Sequence, residues 1–373
     1  MTDSRPPSRR AIAVSGYYGC GNAGDEAVLS GIQAAFARRG AGDRLLALSQ
    51  NPEATTAAHD MRAVYRMRAR TVRETLKECG LLLSGGGSLL QDTTSVRSLL
   101  YYLWVCREAQ AAGIPYMFYA QGIGPLNRAI SRILVCRVAN RAGAITVRDP
   151  ESVALLQKIG VRRVPVQITA DPAFALSPAP PEEIDRILQS EGVSAERPFI
   201  AVSLRRWGGA GTDVIPAYAE LVRKIAANTG CGIVFVPMQA PSDTEISNEV
   251  LQAAKLSSPI TTLRGIYSPE ALLGLLQRAQ AVVGMRLHAL IFAARVATPL
   301  FALSYDPKVD SLMARLEMRE RMAPWQGFDP DSIAAQVETL VRERSDCSRR
   351  LSLIATEMER LAVQNADIAL GLR

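Results

Sequence analysis

Histidine and lysine are both scarce in this chain. Of 373 residues only His59 and His288 are histidines, and only five of the 43 basic side chains are lysines, the rest being arginine. No cluster of His, Cys or carboxylate residues has the spacing of metal ligands, so no metal site is expected. Aromatic residues make up 6% of the chain, too few for platforms that stack on bases, and the basic residues are scattered with no run of five. Nucleic acid is therefore not an expected partner. The net charge of +7 is a diffuse field, suited to attracting an anionic substrate or an anionic membrane face. The six cysteines (Cys20, Cys79, Cys106, Cys136, Cys231 and Cys347) stand far apart with no C-x-x-C pair. That suits reduced thiols in the cytoplasm better than a disulfide framework. Long apolar runs are missing as well: Arg295 interrupts the best candidate, short of the roughly 18 residues that a membrane span needs. The opening MTDSRPPSRR is basic, but the apolar run after it is cut by Ser15 and Gly16, so it does not read as a signal peptide.

What is present points to a soluble globular protein, with 48% hydrophobic and 21% charged residues, long enough for two domains. From Ala11 short β-like runs (11–15, 44–48, 80–84, 115–120, 143–147) alternate with amphipathic runs of helical period (24–38, 71–79, 95–112, 127–141, 150–159). Such alternation predicts a parallel sheet covered by helices on both faces. The proline-rich DPAFALSPAPPEE, residues 171–183, reads as a linker. Alternation then resumes, with strands near 199–203, 231–236, 259–263, 281–283 and 299–303 and helices near 212–229, 242–256, 268–279 and 285–296. In the tail, Leu351, Ile354, Met358, Leu361, Ile368 and Leu372 recur at helical spacing broken by Asn365. The reading is an α/β protein of two Rossmann-like doubly wound domains, 1–172 and 173–345, and a C-terminal amphipathic helix, 346–373, packed on the body.

Several motifs fall at expected strand ends. In Ala281-Val-Val-Gly-Met-Arg-Leu-His-Ala-Leu290 a strand breaks at Gly284 and feeds a helix, which puts Arg286 and His288 at the carboxyl edge of a sheet. Open α/β folds bind ligands there, and a helix N-terminus favours anions. In Gly16-Tyr-Tyr-Gly-Cys-Gly-Asn-Ala-Gly-Asp-Glu-Ala27, Gly19, Gly21 and Gly24 fit G-x-G-x-x-G. A dinucleotide is disfavoured: the second strand ends Ala47-Leu-Ser-Gln50 without a ribose-binding acid, and Asp25 and Glu26 would repel a pyrophosphate. Asn22 and the carboxylates suit sugar hydroxyls instead, while helix capping by Asp25 with a tight glycine turn is the plain structural alternative. Three glycines in Leu81-Leu-Leu-Ser-Gly-Gly-Gly-Ser-Leu-Leu-Gln-Asp92 imply that something approaches the backbone closely. Amides around Gly85, Gly86, Gly87 and Ser88, with Gln91 nearby, form a candidate nest for phosphate or sugar oxygens. Arg148, Lys308, Gln121 and Asp171 also stand at or just past strand ends. Arg148, Arg286 and Lys308 with a single His describe an anion pocket with one proton donor.

Taken in order, GYYGCGNAGDEAVL, SGGGSLLQD, YAQGIGPL, TVRDPES, VVGMRLHAL and SYDPKV resemble the polysaccharide pyruvyl transferase family, and within it the bacterial cell-surface-anchoring type. The resemblance runs from about residue 11 to about residue 340. It implies two Rossmann-like domains in a GT-B-like arrangement, the first facing the acceptor and the second the donor. It also implies transfer of pyruvate from phosphoenolpyruvate to two hydroxyls of one sugar, as a cyclic ketal with release of phosphate. In that type the acceptor sugar is N-acetylmannosamine of a lipid-linked disaccharide, a precursor of a secondary cell-wall polymer. Residue by residue, the resemblance implies that Arg148, Arg286 and Leu287 hold phosphoenolpyruvate, with Lys308 at a further site position and His288 the general acid. Asn22 and Asp25 would face the acceptor, and Asp25 is the candidate base. No cofactor is implied beyond the donor substrate. The implied location is the cytoplasm, at the inner membrane face where a lipid-linked acceptor would bring it. A GT-B glycosyltransferase using a nucleotide sugar and a non-catalytic polysaccharide-binding protein are the alternatives, with a nucleotide-binding oxidoreductase third.

Overall fold

The computed structural model describes residues 11–93, 95–194, 196–208, 213–256 and 260–372. The basic segment 1–10, and the first residues of the elements expected at 212–229 and 259–263, lie outside the described residues. The chain forms two compact units. One takes in the residues up to Gly21, Asp25–Leu176 and the tail from Met358; the other takes in Asn22–Gly24 and Ser177–Glu357.

The first unit is built on β1 (Ala11–Tyr18), β2 (Leu45–Ser49), β3 (Arg62–Tyr65), β4 (Cys79–Gly85), β5 (Tyr116–Gln121), β6 (Ala144–Val147) and β7 (Val166–Ile168). All pairs are parallel, in the order β3-β2-β1-β4-β5-β6-β7. The central strands are apolar runs buried on both faces, Leu81–Leu83 and Met117–Ala120 among them. Strand order reverses between β1 and β4, so the loops GYYGCGN and SGGGS leave the sheet at its switch point, where doubly wound sheets open a crevice. The second unit repeats the plan with β8 (Phe199–Ser203), β9 (Gly232–Phe235), β10 (Ile260–Thr262), β11 (Ala281–Gly284), β12 (Leu300–Ser304) and β13 (Met322–Pro324), in the order β10-β9-β8-β11-β12-β13. Its switch point lies between β8 and β11, so Met285–His288 emerge there. Both units are doubly wound Rossmann-like α/β folds, as expected.

The sequence reading missed three strands, β3, β7 and β13, and each is a sheet edge. It also missed the helices Pro52–His59, Pro181–Ser190, Pro307–Arg315 and Pro330–Arg342, each of which opens on proline. The segment 171–183 is not a solvated linker throughout. Its first part is a tight turn, Pro172–Ala175, with Phe174 and Leu176 buried in the first unit. A Cβ at Gly31 would stand 2.1 Å from the Pro172 carbonyl oxygen, so the helix Ala23–Ala37 lies flush on that turn. The units accordingly divide after Leu176, four residues beyond 172.

The tail is one helix, Arg344–Leu370. Asn365, where the apolar spacing breaks, is fully buried; it accepts from Thr169 Oγ1 at 2.9 Å and donates to the Ala362 carbonyl at 3.1 Å. The polar residue is therefore a buried anchor beside the end of β7 rather than a flaw in the helix.

Candidate functional site

At the carboxyl edge of the first sheet the glycine loop after β1 is held by a buried relay. Glu26 accepts the Gly19 amide at 2.9 Å and meets His59 Nε2 at 3.0 Å, while His59 Nδ1 lies 3.2 Å from Ser30 Oγ. His59 is thus a buried support, and Glu26 is committed to the loop. Asp25, one residue earlier, is half-buried; its Oδ1 would lie 3.2 Å from a Cβ at Gly87.

The close approach that the glycine triplet requires is largely made by the protein itself. A Cβ at Gly86 would fall 1.9 Å from Val28 Cγ1, and one at Gly85 2.8 Å from the Tyr18 hydroxyl. Gly86 and Gly87 have φ of +46° and +70°, which favours glycine. The Gly86 amide donates to the Tyr119 carbonyl at 2.9 Å, so any nest in this loop starts at Gly87 and Ser88.

Ser88 Oγ accepts from Arg148 Nη2 at 2.9 Å, and Arg148 Nη1 pairs with Asp171 Oδ2. Both members of that pair are buried. Asp171 Oδ1 also caps the Pro172 turn through the Ala173 amide at 3.0 Å. Gln121 is fully buried; its side-chain amide donates to Ser84, and its backbone carbonyl accepts the Arg148 backbone amide at 3.2 Å. The first unit therefore brings Asp25, Gly87, Ser88, Gln121, Arg148 and Asp171 into one connected cluster. Gln91 accepts the Thr93 amide within its own loop.

In the second unit, Asn22 Oδ1 accepts the Gly24 amide at 3.0 Å, capping the helix that follows. Asn22 forms an isolated bridge with Gln239, and the Ala23 amide donates to the Met238 carbonyl at 2.9 Å. Gly24 lies against His288: a Cβ there would be 2.2 Å from His288 Nδ1, so no larger residue fits without moving the ring. His288 is half-buried in the first turn of the helix Leu287–Arg295, edge-on to Phe292, and Leu287 beside it is also half-buried.

Arg286, 8% exposed, spends its Nε and Nη2 on the two carboxylate oxygens of Asp243, and Nη2 also reaches Gln239 Oε1 at 3.2 Å. Asp243 is wholly buried and accepts the Met238 and Gln239 amides at 3.1 and 3.0 Å. Lys308 is half-buried at the start of the helix after β12, where Asp306 caps its amide. Because β11 and β12 are neighbours, Arg286, His288 and Lys308 leave the same stretch of sheet edge.

Sequence reasoning missed four features of these edges. Asp243 and Gln239 sit in PMQAPSDTE, just after β9, a strand end followed by an acid at a helix start. That is the same grammar as Asp171. Arg205, two residues past β8, donates from Nη1 to the Tyr305 hydroxyl at 3.0 Å and stacks on Trp207 with 4.8 Å to the ring centre. Since β11 lies between β8 and β12, this bond bridges over the strand end that carries Arg286. In the first unit, buried Arg66 lies among Tyr17, Tyr101 and Tyr102 and donates to the Gly16 carbonyl at 2.7 Å, bracing the glycine loop. Burial pushes the Cys20 thiol up, which argues against a thiolate nucleophile in that loop.

Among the described residues no three His, Cys, Asp or Glu side chains gather as a metal-ligand set, and no helix is long and apolar enough to cross a membrane. The fold is shared with solved sugar enzymes at low identity. The Anabaena protein Alr3699/HepE, solved with UDP-glucose, superposes with a TM-score of 0.60 at 14% identity, over 97% of this chain and 98% of that one. A putative UDP-N-acetylglucosamine 2-epimerase from Listeria monocytogenes gives 0.63 at 12%, over 95% and 94%. The E. coli ADP-heptose LPS heptosyltransferase II gives 0.52 at 17%, over 90% and 99%. These likenesses establish a GT-B-like α/β fold. No curated protein matches the sequence significantly. The family model for polysaccharide pyruvyl transferase, in contrast, matches residues 22–307, which take in the glycine triplet Gly85–Gly87, Arg148, Arg286, His288 and the strands that present them. The chain belongs to the polysaccharide pyruvyl transferase family and is a transferase.

Proposed function

We propose that the protein transfers the pyruvyl group of phosphoenolpyruvate onto two hydroxyls of one sugar, forming a cyclic ketal and releasing phosphate. The observation that carries this reading is the pairing, in one helix turn, of a rigidly held guanidinium and a half-buried imidazole. Arg286 is fixed by Asp243, and His288 follows two residues later against Gly24. Phosphoenolpyruvate has a carboxylate and a phosphate, which guanidinium forks grip at two points and an ammonium neutralises as a point charge. Arg286 and Lys308 are assigned to it from the second unit, together with Leu287, and Arg148 is assigned to it by the family motif.

In this scheme His288, as imidazolium, protonates the vinyl CH2 of the donor and makes its C2 electrophilic. An imidazole with a reference pKa of about 6.5 suits that step near neutral pH. One sugar hydroxyl then adds to C2, losing its proton to a base for which Asp25 is the candidate. Phosphate departs with the C–O electron pair, its charge met by Lys308 and the arginines. The second hydroxyl closes the ring and loses its proton. The net change is donor plus diol to ketal plus phosphate: of the two protons the hydroxyls release, one restores His288 and the other leaves with the phosphate.

For the acceptor we propose N-acetylmannosamine of a lipid-linked disaccharide, the substrate of the cell-surface-anchoring type that the motifs resemble, met by Asn22, Asp25 and the loop Gly85–Ser88 with Gln91. The test is incubation with phosphoenolpyruvate and such a disaccharide, following free phosphate and product mass. Phosphate release with a product heavier by pyruvate less water is the expected result. Release of a nucleoside diphosphate from a nucleotide sugar, or sugar binding without turnover, would overturn it.

A further inference from the structure

We infer that one helical face of the first unit docks on an anionic lipid bilayer. The helices Val96–Ala111 and Ala129–Ala139 connect β4 to β5 and β5 to β6, strands that are consecutive both in the chain and in the sheet. Right-handed crossovers running in one direction place both helices on the same side of the sheet, and they pack side by side. Their inward residues are buried in the core, Leu99, Leu103 and Cys106 on the first and Val135 and Val138 on the second. The outward residues are not an ordinary polar face. Leu100 is 44% exposed, Ile130 55% and Ile133 46%. Exposed Arg97 and Arg107 share a stripe with Leu100 at helical spacing, and exposed Arg137 shares one with Ile130 and Ile133.

Charge decides what covers this face. Residues 127–141 hold four arginines and no carboxylate. Glu108, the acid nearest Arg107 in the sequence, is taken by Arg73 at 2.9 and 3.0 Å. Among the described residues no ion pair engages Arg97, Arg107 or Arg137. In contrast, the arginines that end the helix Ala23–Ala37 are answered: Arg38 pairs with Glu359 and Arg39 with Asp367. Two copies of the chain meeting on the Leu100 face about a twofold axis would set arginine rows against their own kind, which costs energy at an isologous contact. An anionic bilayer meets both needs: apolar tips enter the headgroup boundary, and guanidinium heads on long stems reach lipid phosphates. The inference fits a lipid-linked acceptor but does not rest on the donor chemistry.

The test is co-sedimentation of the full-length protein with vesicles of phosphatidylcholine alone and of phosphatidylcholine mixed with phosphatidylglycerol. Binding to the mixed vesicles only is expected, weakening as salt rises. Ile130→Ser with Ile133→Ser should lower the partition about tenfold, and Arg97→Gln and Arg137→Gln about fivefold each. Circular dichroism melts should be unmoved, since all four side chains are exposed. Phosphate release with a water-soluble acceptor should also be unchanged in these variants. Loss of that activity in the unmutated protein would count against the proposed reaction and not against docking. Equal binding to both vesicle types, partition unaltered in the variants, or self-association abolished by the isoleucine changes would overturn the inference.

Discussion

Each sheet ends in a buried arginine–aspartate pair, yet the two pairs are built differently. Asp243 takes Nε and Nη2 of Arg286 side-on, and two backbone amides as well, so its lone pairs are filled and the guanidinium is locked in one orientation. Asp171 engages Arg148 through one nitrogen and spends its other oxygen on a turn, while the second Arg148 nitrogen rests on the Ser88 hydroxyl. A hydroxyl is a neutral partner that an incoming anion can replace; a saturated carboxylate is not. The contrast separates a pre-set guanidinium beside His288 from one whose neutral partner an anion could replace.

Four experiments would break or sharpen that contrast. The largest effect is expected at His288, the proposed proton donor: His288→Ala should lower turnover by about 10²–10⁴-fold while calorimetry finds phosphoenolpyruvate affinity nearly unchanged. Near-full turnover would remove His288 from that role. Next, Asp243→Ala leaves a buried guanidinium without its countercharge and should cost roughly 3–5 kcal/mol in urea unfolding. Asp171→Ala should cost less, because Arg148 keeps Ser88; equal losses would erase the distinction between the pairs. Third, Arg148→Lys should weaken donor binding about tenfold by losing the planar fork, with Ser88→Ala changing it far less.

The smallest effect concerns acid. Burial alone would raise the Asp92 carboxyl, but the amides of Asn127 and Arg128 at 2.7 and 2.8 Å hold it below the usual carboxylate range. Glu191 in the second unit is likewise held low against burial by the Tyr267 hydroxyl and the amides of Gly265 and Arg264. A carboxyl whose folded pKa is depressed adds stability that is full above its unfolded value, about 4, and is lost as pH falls through the folded value. Unfolding free energy should therefore drop below about pH 4, and Asp92→Asn or Glu191→Gln should each flatten that decline.

Much of this architecture was legible in the sequence, and what escaped did so for physical reasons. Central strands such as Leu81–Leu83 and Ala281–Gly284 are buried on both faces and show as apolar runs. The edge strands that escaped, β3, β7 and β13, have one neighbour, three or four residues and exposed side chains, Arg62 and Gln167 among them, so no run marks them. Pro181, read as part of a linker, is a helix start, and so is Pro307; the missing amide costs nothing there. Among site residues, the cations were visible because each follows a strand. Asp243 was not, because its importance is set by Arg286, 43 residues away in the chain. The glycine triplet announced a close approach correctly, but sequence alone could not say that Val28 would make it.

The placement of Asn22–Gly24 has a practical corollary for anyone who would dissect the molecule. A fragment beginning at Ser177 would lack the short N-terminal piece that bonds to Met238 and Gln239 and walls the His288 ring, and a fragment ending at Leu176 would lack the residues around Asn365. Neither half is a self-contained cassette, so limited proteolysis or half-for-half chimeras will yield incomplete modules unless both borrowed segments travel with them.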